Sequence, residues 1–192
     1  DDLTTSVTVP VLWDTKTCTI VNNESSQIIR IFNSAFNELT GNTNDYYPTN
    51  HQTGIDALNE FIYESVNNGV YRCGFATTQL AYDRAIDALF STLDELDNRL
   101  SNSDFLMGDQ LTEADIRLIP TLLRFDIVYV THFKCNVRRI IDYPNLHRYV
   151  NQAMTIPAIQ TTTAFDHIKR HYYYSHEFIN PNRIIPKGPV NY

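Results

Sequence analysis

Two short segments near the start of the chain carry residues of the kind that hold a small molecule. Alternating Val7, Val9 and Val11 read as a half-buried strand, and Val9-Pro10 puts a proline in it. Proline forfeits a ladder hydrogen bond, so it belongs at a sheet edge or at a strand's first residue. A cis bond there would turn the Val9 N–H and C=O outward, where an extended ligand can pair with them; a trans edge proline is the plain alternative. Asn23-Glu24-Ser25 stands at a predicted helix start. Free N–H groups, partial positive charge and the Ser25 hydroxyl suit a ligand carboxylate, and Glu24 beside them suits an ammonium. The pair fits the α-amino acid end of a small molecule, and it also fits an ordinary helix cap.

Other reactive side chains are less specific. Cys18, Cys73 and Cys135 are odd in number and form no C-x-x-C, which fits a reducing compartment. Cys73, beside Arg72 and near Tyr71, is the best placed of them to react, yet all read as structural. His167 and His171 share one helix face, but no third ligand has matching spacing and no metal is expected. Asp115 and Asp126 read as caps or ion-pair partners.

The elements that must position these residues follow from periodicity. The run from Thr8 to Phe36 reads as strand, turn at Asp14 to Thr17, strand from Thr19 to Val21, and a helix opening at Glu24 or Ser25. Ile28, Ile29, Phe32 and Phe36 give that helix one face, expected to be buried against the strands. From Leu39 the composition turns to Asn, Thr, Gly and Pro, a linker over 41–52. Ile55, Leu58, Ile62 and Val66 then form a helical stripe, with Asp56, Asn59, Glu60 and Asn67 expected to face away and Asn68-Gly69 as its stop signal. Residues 70–76 read as a short connection. Thr77 or Thr78 caps a long helix with the stripe Tyr82, Ile86, Leu89, Leu93, Leu96 and Leu100. After a loop, Thr112 and Asp115 make a short-armed capping box for a helix striped by Ile116, Ile119, Leu123, Ile127 and Val130, with Pro120 inside it or near its first turn. Helices follow Asp142-Tyr143-Pro144 and Ile156-Pro157.

The chain has 192 residues, is 43% hydrophobic and has a formal charge of −7. That is enough for one good core, or for one domain plus a piece of another. The acidic balance gives no footprint for nucleic acid or anionic membrane, no apolar run is long enough for a span, and nothing marks the N-terminus for secretion. Lys169, Arg170 and His171 form a local basic patch, better suited to a small anion or a subunit contact.

Val9-Pro10, a hairpin, and Glu24-Ser25 at a helix start resemble the glutathione-transferase N-terminal domain. PVLWDTKTCTIVNNES, GVYRCGFATTQLAY, DQLTEADIRLIPTLLRFDIVYVTHFKCN and DHIKRHYYYSH resemble the glutathionyl-hydroquinone reductases, the Xi class of that family, and the match runs from about Thr8 to about Pro189. The resemblance implies a glutathione-transferase-like fold: the second half of an α/β thioredoxin-like domain over 1–40, then an all-α helical domain over 53–192 with an irregular tail. It implies that Val9, Pro10, Glu24 and Ser25 hold glutathione, that Tyr71 and Tyr172 (or its neighbour Tyr173) hold the oxygens of a quinone or hydroquinone, and that the protein is a cytoplasmic homodimer. Apart from the resemblance, both tyrosines read as core residues at an interface.

The family's catalytic cysteine lies in a Cys-Pro-Trp segment upstream of the region matched here, and these 192 residues contain no such segment. The chain by itself is therefore expected to be inactive. The implied reaction is thiol exchange: the cysteine attacks the sulfur of a glutathionyl-hydroquinone, the hydroquinone leaves, and a second glutathione resolves the mixed disulfide. The alternatives are a non-catalytic module for binding or dimerisation, and an Omega-type thioltransferase or dehydroascorbate reductase.

Overall fold

A computed structural model describes residues 8–189 of the chain. It divides into two compact units, the first ending at Asn50 and the second beginning at His51.

In the first unit, strands β1 (Leu12–Asp14) and β2 (Thr19–Asn22) pair antiparallel, with Trp13 opposite Ile20 and an irregularity between Leu12 and Trp13. The turn is built by Asp14, whose Oδ1 accepts the Lys16 N–H at 2.8 Å and the Thr17 N–H at 3.3 Å. Helix α1 (Ser25–Ser34) follows, capped by the Glu24 carboxylate, and a one-turn helix α2 (Asn37–Thr40) ends at Gly41, whose φ of 66° is the left-handed value glycine tolerates. The Asn33 side chain anchors the segment beyond: its Nδ2 donates to Asp45 Oδ1 at 2.8 Å and its Oδ1 accepts the Tyr46 N–H at 2.9 Å.

Two expectations are corrected here. Val9 and Val11 precede β1 and are exposed, Val9 at 91%; Val7 lies outside the described residues. The α1 stripe is also mostly open. Ile28 is buried, but Phe32 and Phe36 are 54% and 41% exposed. The periodicity is present, yet two strands of three and four residues offer too little sheet to cover it.

The second unit is all helical: α3 (Gln52–Ile62), α4 (Gly69–Gly74), α5 (Gln79–Arg99), α6 (Glu113–Arg124), α7 (Val130–His132), α8 (Pro144–Ala153), α9 (Pro157–Thr162) and α10 (Phe165–Ser175). A π-helical turn at Tyr63–Asn67 joins α3 towards α4, and another at Phe125–Tyr129 joins α6 to α7. The stripes Ile55, Leu58, Ile62, Val66 and Ile86, Leu89, Leu93, Leu96, Leu100 are all buried. Each such side chain contributes about 1.5–3 kcal/mol, against about 1 kcal/mol for a cap. The stripes therefore set the stability, and the caps set where helices begin.

Three buried carboxylates do that capping. Asp115 Oδ2 accepts the Thr112 N–H and hydroxyl at 2.8 and 2.9 Å, while Oδ1 accepts the Leu106 N–H and the Tyr149 hydroxyl, each at 2.9 Å. Asp97 accepts the Asn145 and Leu146 N–H groups at the start of α8. Asp126 accepts those of Ile140 and Ile141. Burial raises the Asp115 carboxyl above its ordinary range, and the donors around it pull it back.

Sequence periodicity misplaced two features of this unit. Asn59 is buried, because Glu113 at the head of α6 lies against α3 and accepts its amide at 2.9 Å. Asn68-Gly69 is not a stop: the π turn carries the chain directly into α4, so residues 70–74 are helix. A Cβ on Gly69 would make only ordinary contact with the Leu89 side chain at 3.7 Å, so no steric demand fixes glycine there.

Candidate active site

α4, the helix that continues α6 and the C-terminal half of α10 each carry aromatic residues. Tyr71 of α4, Tyr129 of the second π turn and Tyr172 of α10 bring their hydroxyls into one chain, Tyr71 to Tyr172 at 2.5 Å and Tyr172 to Tyr129 at 2.9 Å. Tyr129 and Tyr172 are buried, and Tyr71 at the outer end is half-buried. Burial pushes the phenols of Tyr129 and Tyr172 up, so both stay protonated at neutral pH. A hydroxyl is both donor and acceptor. With the chain running outward from Tyr129, Tyr71 offers a proton; running inward, it offers a lone pair. The outer end can thus meet either a quinone oxygen or a hydroquinone hydroxyl.

A wall of rings supports the hydroxyls. Phe133 lies 5.3 Å from Tyr71, 5.3 Å from Tyr129 and 5.9 Å from Tyr172. His176, just past α10, packs on Phe75, Phe133 and Tyr172. Its Nδ1 is 3.1 Å from Nε2 of His132. Burial, with His176 and Lys134 nearby, lowers His132 to about 4, so this imidazole is neutral and a single N–H is shared between the two rings. This pair fastens the end of α10 to the end of α7.

Other predicted residues fall as follows. Tyr173 is buried against His132, with ring centroids 4.5 Å apart, and takes no part in the hydroxyl chain. Lys169 donates to the carbonyls of Lys187 and Gly188, so its ammonium is engaged with the tail. His167 and His171 are exposed on α10, and His167 lines an open groove of about 470 Å³ between α6, α9 and α10. Among the described residues no group of His, Cys, Asp or Glu could hold a metal ion. Tyr129 was not singled out from sequence, although Phe125, Tyr129 and Phe133 at four-residue steps were a visible signal of one aromatic face.

In the first unit, the Val9-Pro10 bond is cis. Asn23 ties this segment to the helix entrance, its amide donating to the Thr8 carbonyl at 2.9 Å and the Pro10 carbonyl at 2.6 Å. Val9, Pro10, Glu24 and Ser25 thereby share one exposed edge of the unit. Glu24 Oε1 is engaged as the cap, accepting the Ser26 N–H at 3.2 Å and hydroxyl at 3.1 Å.

An all-helical unit with a capping box at its central helix, following a hairpin and helix of thioredoxin-like kind, defines a glutathione-transferase-like protein. Residues 79–152 match the glutathione S-transferase C-terminal domain family. Over nearly its whole length the chain is homologous to the Xi class of that family, the glutathionyl-hydroquinone reductases. It is 56% identical over 183 residues to the glutathionyl-hydroquinone reductase YqjG of Escherichia coli K12, covering 95% of this chain and 56% of that protein. With the reductase PcpF of Sphingobium chlorophenolicum the identity is 53%, covering 96% and 59%. The crystal structure of the glutathione-S-transferase Xi from Phanerochaete chrysosporium superimposes with a TM-score of 0.95 at 55% identity, covering 98% of this chain and 65% of that one. The glutathione-bound structure of YqjG gives a TM-score of 0.94. The chain thus spans a little over half the length of the curated relatives it matches.

Proposed function

We propose that this chain carries the substrate-holding residues of a glutathione-dependent reductase that converts glutathionyl-hydroquinones to hydroquinones. The observation that carries this reading is the hydroxyl chain Tyr71, Tyr172, Tyr129 in a homologue of proteins so named. Tyr71 and Tyr172 would hold and polarise oxygens of the leaving hydroquinone, and Tyr129 would fix the inner end of their chain. In the first unit, the residues fit a glutathionyl peptide: the exposed Val9 backbone suits its cysteinyl amide, the Ser25 end of α1 suits its carboxylate, and Glu24 suits its ammonium.

None of the three cysteines serves as the attacking thiol in this reading. Cys73 and Cys135 are buried away from ligand, and Cys18 sits in the hairpin turn. The thiol comes from the Cys-Pro-Trp segment that the resemblance implies. A homodimer in a reducing cytoplasm completes the proposal; light scattering in solution tests the first.

The test is an assay of glutathionyl-hydroquinone reduction with glutathione, on the 192-residue chain and on a longer protein that adds the cysteine segment. The chain alone should release no hydroquinone. The longer protein should, and Tyr71→Phe or Tyr172→Phe in it should slow release by roughly 100-fold, the usual cost of losing a positioned donor. Turnover by the chain alone, or unchanged rates in both variants, defeats the reading. Profiling against dehydroascorbate separates the Omega-type alternative.

A further inference from the structure

Cys73 and Cys135, distant in sequence, meet inside the helical unit. Cys73 is near the end of α4 and Cys135 follows α7, and both are at most 1% exposed. Cys135 Sγ also lies 3.9 Å from the carbonyl oxygen of Val70, one turn before Cys73. The two segments are locked together on either side of the thiols. A Cβ on Gly74 would meet the Phe133 ring at 2.3 Å, so the backbone beside Cys73 touches the residue two before Cys135. Phe75 and Tyr71 each pack their rings 5.3 Å from Phe133, and the Tyr82 hydroxyl donates to the Lys134 carbonyl at 2.7 Å. Both cysteines are free thiols here, and the hydroxyl chain uses neither.

We propose that Cys73 and Cys135 form a redox site, which hydrogen peroxide converts into a disulfide tying α4 to the segment after α7. An S–S bond of about 2.05 Å needs two sulfurs carried by closely packed backbone, and Cys135 Sγ already lies against the turn of α4 that carries Cys73. Burial excludes bulky thiol reagents such as glutathione disulfide and leaves a small two-electron oxidant that enters during local opening. Cys73 is the attacking sulfur, since the Cys135 thiol is engaged by the carbonyls of Val70 and Phe133, 3.9 and 3.8 Å from its Sγ, while the Cys73 thiol is held below its ordinary range. Its thiolate attacks one peroxide oxygen, an S–O bond forms, the O–O bond breaks, and hydroxide leaves to take up the Cys73 proton as water. Cys135 sulfur then attacks the sulfenic sulfur, the S–S bond forms, and the S–O bond breaks. The departing hydroxide carries off the Cys135 proton as a second water. The two thiols together lose two protons and two electrons, and one peroxide becomes two waters.

The site stands apart from the reductase reading and is tested without it. The 192-residue chain, wild type and with exposed Cys18 replaced as Cys18→Ser, is treated with hydrogen peroxide at neutral pH, denatured in an alkylating agent and mapped by mass spectrometry. The expected product in both is a Cys73–Cys135 cross-linked peptide that reduction cleaves. In the Cys18→Ser background, Cys135→Ala should instead let Cys73 run on to sulfinic acid. The wild-type map needs no change at a buried position, so a folding failure of Cys135→Ala leaves the test intact. Both thiols still alkylated at a dose that fully oxidises Cys18, or sulfinic acid at Cys73 without the cross-link while Cys135 is present, overturns the proposal.

Discussion

Tyr172 holds the middle hydroxyl, and removing it separates packing from hydrogen bonding. Tyr172→Phe keeps the ring among Phe133, Tyr129 and His176 but strips Tyr129, which is 2% exposed, of its partner. A buried hydroxyl left unpaired costs about 1–3 kcal/mol. Urea unfolding should show that loss for Tyr172→Phe and less for Tyr71→Phe, whose hydroxyl lies at the half-buried outer end. His132 gives a pH signature. Its folded value of about 4 lies below the ordinary 6.5, so from pH 6.5 down to 4 the unfolded chain binds a proton that the folded chain refuses. Stability from this group is complete above pH 6.5 and is lost as pH falls through 4. Urea midpoints across that interval should fall more steeply for wild type than for His132→Gln; parallel curves would show that this imidazole is not held neutral. Single residues were legible where local chemistry decides them: Thr112 and Asp115 announce their cap by spacing alone. Tyr129, His132 and His176 were not, because their meeting depends on three helices converging, which no local pattern records.

Helix α4 shows how elements can be misread. Asn68-Gly69 has the composition of a helix end, yet the chain continues through it as helix, and Gly74 is the glycine that a close approach requires, that of Phe133. Gly74→Ala would press a methyl into the Phe133 ring, an overpacking that costs about 1–3 kcal/mol or more. Thermal unfolding checks this; an unchanged midpoint would mean the ring moves freely aside. The Asp115 carboxylate joins the loop before α6, the head of α6 and α8 through four donors. Asp115→Ala leaves buried N–H and O–H groups without an acceptor, and should cost more than the roughly 1 kcal/mol of a simple cap, about 3–5 kcal/mol, read as a shift in urea midpoint. The long stripes of α3 and α5 were legible because each is buried by neighbours of the same unit. The α1 stripe was equally periodic and is mostly open, since periodicity states which face wants cover and not whether cover is supplied.

Across the whole molecule, stability is uneven. Ile28 is the single buried apolar side chain of the first unit among the described residues, while the second unit holds the rest. Amide exchange should therefore be fast throughout β1, β2 and α1 and slow along α3, α5 and α6 in the 192-residue chain; slow exchange at β1 and β2 would contradict so small a core. The two π turns carry a further consequence. Each admits one residue more than an α-helical turn would, and one residue is about 100° of rotation about the helix axis. Tyr71 lies downstream of the first and Tyr129 within the second. Deleting a single codon in either stretch would swing a phenol away from its partners while leaving every side chain of the aromatic wall present. The arrangement is thus written partly in the phase of the helices, which a scan of point substitutions never samples.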